Sequence, residues 1–193
     1  MQDRRSFRFD PLRELARGLG NRLDRAKDGV TGAAATTDRT MNGRALTRGE
    51  LRMIEQMFGS LPGIDRARVF PRNFWWPYPN KRAMAPNGNI YFPGTEYRED
   101  FSLSSVPLAL RALFMHEATH LYQWYGLGQW VFIRGPFDRQ YDYELVAGRA
   151  LKDYRLEQMG KIVEHFYIFS HGGRILGNPY NVGDYRDAVP VRS

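Results

Sequence analysis

At 193 residues the chain has room for one domain of ordinary size with appendages, and its 42% hydrophobic and 14% aromatic content is enough for a packed core. It has no cysteine, which excludes disulfides and thiolate metal ligands, so any metal must be held by His, Asp, Glu, Tyr or backbone. The formal charge of +7 is uneven: residues 1–52 hold 12 basic against 7 acidic residues and the remainder 16 against 14, so the excess belongs to the N-terminal arm. Interleaved acids and the lack of a nucleic-acid motif make nucleic-acid binding the weaker reading of that arm.

No apolar run approaches the length of a bilayer span. Met1 to Ser6 is not followed by the apolar stretch of a secretory leader. The expectation is a protein made soluble in the cytoplasm that would leave the cell, if at all, by a leaderless route.

Leu12, Leu15, Leu19 and Leu23 recur at helical spacing, with Asp10 and Pro11 suited to open that helix. It reads as a short amphipathic helix that docks on the body or stays loose, or as a targeting helix recognised by a partner. Residues 29–45 have linker composition and set a domain boundary. The expected division is a basic arm and linker over 1–45, a domain over 46–170 and an irregular tail over 171–193.

Thr47 with Glu50 three residues on predicts a capping box, followed by a helical stripe of Leu51, Ile54, Met57 and Phe58 that stops at Gly59. Ile64 to Phe70 reads as a strand. Asn73 to Pro79, aromatic and proline-rich, reads as a loop pinned on a core, with a substrate-lining role as the sharper alternative. Asn87-Gly88 is a hairpin-turn dipeptide, and Asn89 to Phe92 after it reads as a short strand whose edge would suit an extended peptide.

The next helix should start at Ser104 or Ser105, with Pro107 in its first turn. Leu108, Leu110, Leu113, Phe114, Met115, Ala118 and Leu121 make it apolar almost all round, the pattern of a buried helix. Within it stands His116-Glu117-Ala118-Thr119-His120, the H-E-x-x-H pattern. Two His residues four apart share a helix face, so both imidazoles can reach one metal ion, while the Glu beside the first suits a general base for water. Polar groups entering a dry interior need partners, which argues against a chance match on a solvated face. Two core histidines satisfied by hydrogen bonds are the remaining bland reading.

A catalytic zinc site needs a third protein ligand, and no third His follows in the H-E-x-x-H-x-x-G-x-x-H pattern, since Gln123 stands where Gly is required. The downstream donors are Asp138, Asp142, Glu144, Asp153, Glu157, Glu164, His165 and His171. Leu156, Met159, Ile162, Val163 and Phe166 predict a helix over 153–168 with Asp153 as its cap. Glu157, Gly160 and Glu164 lie on the opposite face, which either looks at solvent or packs against the first helix through Gly160. Glu144 sits in an extended-looking aromatic segment. Pattern and spacing leave Glu157 and Glu144 even.

Glu157-Gln158-Met159-Gly160-Lys161 resembles the second motif of gluzincins. Residues 45–168 resemble the small HExxH proteins described as Vgr-related or Rhs-associated, found with type VI secretion systems, and the metallopeptidase-like core domain of contractile injection systems. Leu46 to Glu50, Trp75-Trp76-Pro77, Met84 to Ile90, Phe114 to Gln123, Arg134 to Asp138 and Tyr154 to Gln158 carry that resemblance. It implies a zincin-like α+β fold, with a small sheet, an active-site helix and a downstream ligand helix.

The resemblance also implies Zn2+ held by His116, His120 and Glu157, with Glu117 as general base. Lys161 stands where an acid is often found, which leaves the outer partner of a zinc-bound His unassigned. The implied function is a zinc-dependent hydrolase of amide bonds acting as a secretion-associated effector on protein, peptide or peptidoglycan, with a VgrG- or Rhs-like partner. The alternative is a non-catalytic zinc-binding accessory or adaptor of the apparatus. Tyr141, Tyr143 and Tyr154 are unranked candidates to steady an oxyanion.

Overall fold

The computed structural model describes residues 42–74, 82–129 and 140–189. The expected N-terminal helix, most of the linker, Trp75 to Pro79 and the Arg134 to Asp138 segment lie outside them. The described body is mixed α+β: strand β1 (Arg44–Ala45), helix α1 (Arg48–Phe58), strands β2 (Arg68–Phe70) and β3 (Ile90–Tyr91), and helices α2 (Leu108–Leu121) and α3 (Leu156–Ser170). No helix among the described residues is long and apolar enough to cross a membrane.

The capping box forms as its spacing requires. Thr47 Oγ1 accepts the Glu50 N–H at 3.1 Å, and Glu50 Oε2 accepts the Thr47 N–H at 2.9 Å. Glu50 does more than cap. Fully buried, it takes a two-pronged pair of 2.7 Å bonds from Arg44 on β1, and its Oε1 accepts the Phe101 N–H at 2.9 Å. One carboxylate thus joins β1, the start of α1 and the loop leading into α2.

The sheet is smaller than expected. Ile64–Arg66 forms a 3-10 turn, leaving only Arg68–Phe70 as strand, and Asn89 and Phe92 flank β3 outside it. Strand order is β1-β2-β3, antiparallel then parallel. The Asn87-Gly88 turn brings Met84 back against Tyr91 in an antiparallel bridge, with Gly88 at φ +77°. Both backbone groups of Tyr91 are engaged by Met84, at 2.8 and 3.0 Å, so the outer edge of β3 is covered there and not open to an extended peptide.

Helix α2 starts at Leu108, later than Ser104 or Ser105, because residues 101–106 are taken up in turns, including Val106 N–H to Leu103 O at 3.0 Å. Leu110 and every residue from Ala112 to Leu121 are buried, as an all-round apolar pattern requires. The helix then passes into a π-turn over Tyr122–Gly126. Helix α3 starts at Leu156 and not at Asp153, which instead ends a 3-10 turn over Leu151–Asp153.

α2 and α3 pack most extensively of all the elements. The close approach is made at Gly160, where a Cβ would lie 2.7 Å from His116 Cε1. The face carrying Glu157, Gly160 and Glu164 therefore packs inward. The C-terminal stretch wraps the other side, burying Ile175, Tyr185, Ala188 and Val189, and His171 is exposed as expected.

Replacing Glu50 with Ala takes the acceptor from two backbone N–H groups and leaves the Arg44 guanidinium with neutral acceptors only, the Tyr97 hydroxyl and the Ala45 and Arg98 carbonyls. The expected loss is about 3–5 kcal/mol in denaturant unfolding, the range for a broken buried pair. A loss under about 1 kcal/mol, the size of a surface pair, would contradict this joint.

Candidate metal centre

A buried helix with two imidazoles four residues apart must supply partners for four ring nitrogens. His116 and His120 are 2% and 4% exposed, and their rings meet edge to face at a 5.3 Å centroid separation. Their Nδ1 atoms face outer partners: His116 Nδ1 lies 3.0 Å from Glu164 Oε2, and His120 Nδ1 lies 2.8 Å from Gln123 Oε1. Both Nε2 atoms converge on one carboxylate oxygen, Glu157 Oε2, at 3.3 Å from His116 and 3.8 Å from His120.

The expected trio therefore comes together. One ligand atom from each of His116, His120 and Glu157 falls within 4.8 Å of the others. Glu144 is exposed and not in this group, as are Asp142 and Asp153, while His171 sits at the end of α3. Glu164 and His165 are also buried but lie outside this group: Glu164 backs His116, and His165 Nδ1 meets Tyr143 Oη at 2.6 Å in a separate network.

The donor set fits a zinc-type ion. Metal–ligand bonds of about 2.0–2.2 Å in a tetrahedral arrangement put neighbouring ligand atoms roughly 3.4 Å apart. The observed 3.3 and 3.8 Å bracket that spacing, and 3.8 Å is too long for a hydrogen bond. Satisfied core histidines do not require that convergence. Glycine at position 160 supplies the room for the His116 ring that any other residue would fill.

Charge is arranged behind the two histidines. Lys161 Nζ lies 3.0 Å from both oxygens of Glu164. Burial alone would raise the Glu164 pKa, but Lys161 and His116 outweigh it and hold the carboxyl well below its usual range. An ionised carboxylate only accepts, so His116 Nδ1 donates and its Nε2 is turned to Glu157. In the metal-free protein burial disfavours the His116 imidazolium, yet Glu157 and Glu164, with Glu117 behind them, push its pKa up to about 9. Glu117 itself is 2% exposed.

The structure also separates the three tyrosines. Tyr141 stacks on His116 at a 6.4 Å centroid separation. The Tyr143 hydroxyl is engaged with His165 and Tyr185, each at 2.6 Å, and the Tyr154 hydroxyl accepts the Val146 N–H at 3.1 Å. Sequence reasoning missed two contacts, Gln123 to His120 and Glu164 to His116. Glu164 was findable: it lies two turns beyond Glu157 on the same face, with Lys161 between them.

No protein-family model matches the chain. Over 137 residues, 65% of the chain, it is 37% identical to the type VI secretion system spike protein VgrG2b of Pseudomonas aeruginosa. The effector domain of P. aeruginosa VgrG2b has a solved structure that aligns with a TM-score of 0.57 and 27% identity, covering 90% of this chain and 92% of the solved one. The chain is homologous to that effector domain. It spans only 13% of the length of the whole VgrG2b protein, so the likeness concerns this domain.

Two outcomes follow from the packing and the charges. Gly160→Ala should favour the helix by about 0.5–1 kcal/mol in propensity, yet displace the His116 ring and weaken Zn2+ binding about tenfold or more. Unchanged affinity by chelator competition would contradict the close approach.

Around neutrality, above the range in which Glu164 titrates, the pH dependence of the metal-free protein is set by two histidines of opposite sign. His116, raised from 6.5 to about 9, lends stability below pH 6.5 that is lost as pH rises to 9. His165, which burial lowers from 6.5 to about 4, lends stability above pH 6.5 that is lost as pH falls to 4. Thermal melts in chelator should peak near pH 6.5, and Zn2+ should remove the alkaline loss. Metal-free stability that rises between about pH 7 and 9 would contradict this assignment.

Proposed function

We propose that this chain is a metal-dependent hydrolase of amide bonds that serves as an effector of a type VI secretion system. His116, His120 and Glu157 hold a divalent cation, Zn2+ by their chemistry, and Glu117 is the general base. The observation that carries this reading is the convergence of two buried Nε2 atoms on one carboxylate oxygen, with both Nδ1 atoms already occupied. The homology to the VgrG2b effector domain supports the secretion-associated role.

When bound, the cation supplies Lewis-acid polarisation of the scissile carbonyl and makes water a usable nucleophile near neutral pH. The chain supplies the rest. Glu117, next to His116 in sequence and buried with it, takes the proton from the attacking water and returns it to the leaving amine. Glu164 and Gln123 hold the two imidazoles, so the ligand geometry does not reorganise during the reaction. Of the three tyrosines, Tyr141, whose ring stacks on His116, is the one assigned to donate to a developing oxyanion. Protein, peptide and peptidoglycan cross-links are the substrate classes with the required bond.

The test is a paired substitution. Glu117→Gln should retain full zinc content and lose amide hydrolysis by at least about a hundredfold, the scale of a lost general base. Glu157→Ala should lose zinc, whereas Glu144→Ala should keep both metal and activity. A fully active Glu117→Gln variant would remove its role, and unchanged zinc in Glu157→Ala would move the third ligand elsewhere. A zinc-loaded protein that hydrolyses none of the three substrate classes would be the accessory or adaptor.

A further inference from the structure

Gln123 is fully buried, although it is a polar residue with two donors and an acceptor to satisfy. Its Nε2 lies 2.9 Å from the carbonyl oxygen of Leu156 and 3.3 Å from Met159 Sδ, and its Oε1 lies 2.8 Å from His120 Nδ1. A carbonyl can only accept, so the nitrogen end of the amide must face Leu156. The reversed amide would set two acceptor oxygens against each other in a dry interior, which is costly. The oxygen end therefore faces His120.

An amide oxygen also only accepts, so His120 Nδ1 must carry the hydrogen. A neutral imidazole has one protonated nitrogen, which leaves the lone pair on Nε2, the atom turned towards Glu157. That is the reverse of the tautomer a neutral histidine side chain prefers in water. Leu156 is the first residue of α3 and the neighbour of Glu157. One amide in the π-turn thus connects a ring on α2 with the backbone beside a carboxylate on α3. His116 is held by a different device, the ionised Glu164 backed by Lys161.

We propose that Gln123 is a positioning residue that presets His120 as the Nδ1–H tautomer and ties that ring to the Glu157 end of α3, so that the two are registered before the cation arrives. This rests on the reading of His116, His120 and Glu157 as a metal site, but not on the reaction performed there.

The test has two arms. Nitrogen NMR of the imidazole rings in metal-free wild-type protein at about pH 8 should show His120 protonated at Nδ1. In Gln123→Met, which keeps the length and removes the amide's hydrogen bonds, His120 should move towards the Nε2–H form and Zn2+ affinity should fall about 10–100-fold by chelator competition. A purely structural Gln123 would lower the melting temperature with tautomer and affinity unchanged, and that result overturns the proposal. So does an Nε2–H His120 in the wild type, which needs no variant to fold. Absent hydrolysis leaves both readouts intact, whereas a wild type that fails to bind Zn2+ removes the metal reading itself.

Discussion

Burying two imidazoles on a single helix is the constraint from which the rest of the site follows. Each ring brings two nitrogens into an interior where an unpartnered polar atom costs on the order of 1–3 kcal/mol. The outer nitrogens are answered by chemically different acceptors, the Glu164 carboxylate and the Gln123 amide. That leaves both inner nitrogens directed at Glu157. An ionised Glu164 in turn needs a cation, and Lys161 is one turn away on its own helix.

These requirements dictate how α3 meets α2. Glu157 and Glu164 must both reach the His116 ring from positions two turns apart, which demands that the position between them that faces the ring carry no side chain. Gly160 meets that demand. The other side of α3 is closed by a polar-aromatic network in which Tyr143 bonds His165 and Tyr185, and burial pushes the Tyr143 phenol well above its usual range. At the far end of α2, the π-turn sets Trp124 against Gly88 and donates the Tyr125 hydroxyl to the Gly88 carbonyl at 3.1 Å. The sheet turn and the helix that carries His116 and His120 are thereby fixed to one another.

What could be read in the sequence was local. The capping box at Thr47 and Glu50 and the H-E-x-x-H spacing depend only on helix geometry, and an all-round apolar α2 could only be buried. The Gly160 face was visible as a pattern, but whether it met solvent or α2 was a tertiary question. Strands of two or three residues are too short to carry a period, so Ile64–Arg66 was mistaken for strand. The helix starts at Leu108 and Leu156 were displaced by turns whose hydrogen bonds no residue type announced. Gln123 was noticed as a departure from one motif and as part of the resemblance, but not as a partner of His120, because its amide is oriented by Leu156 on the distant α3.

X-ray absorption spectroscopy of the zinc-loaded protein tests whether His116, His120 and Glu157 form one metal coordination sphere. One tightly held zinc with two imidazole nitrogens and oxygen ligands at about 2.0–2.2 Å is expected, and no imidazole signal after both histidines are replaced. A zinc environment without imidazole, or a purified protein that retains no zinc at all, would contradict it.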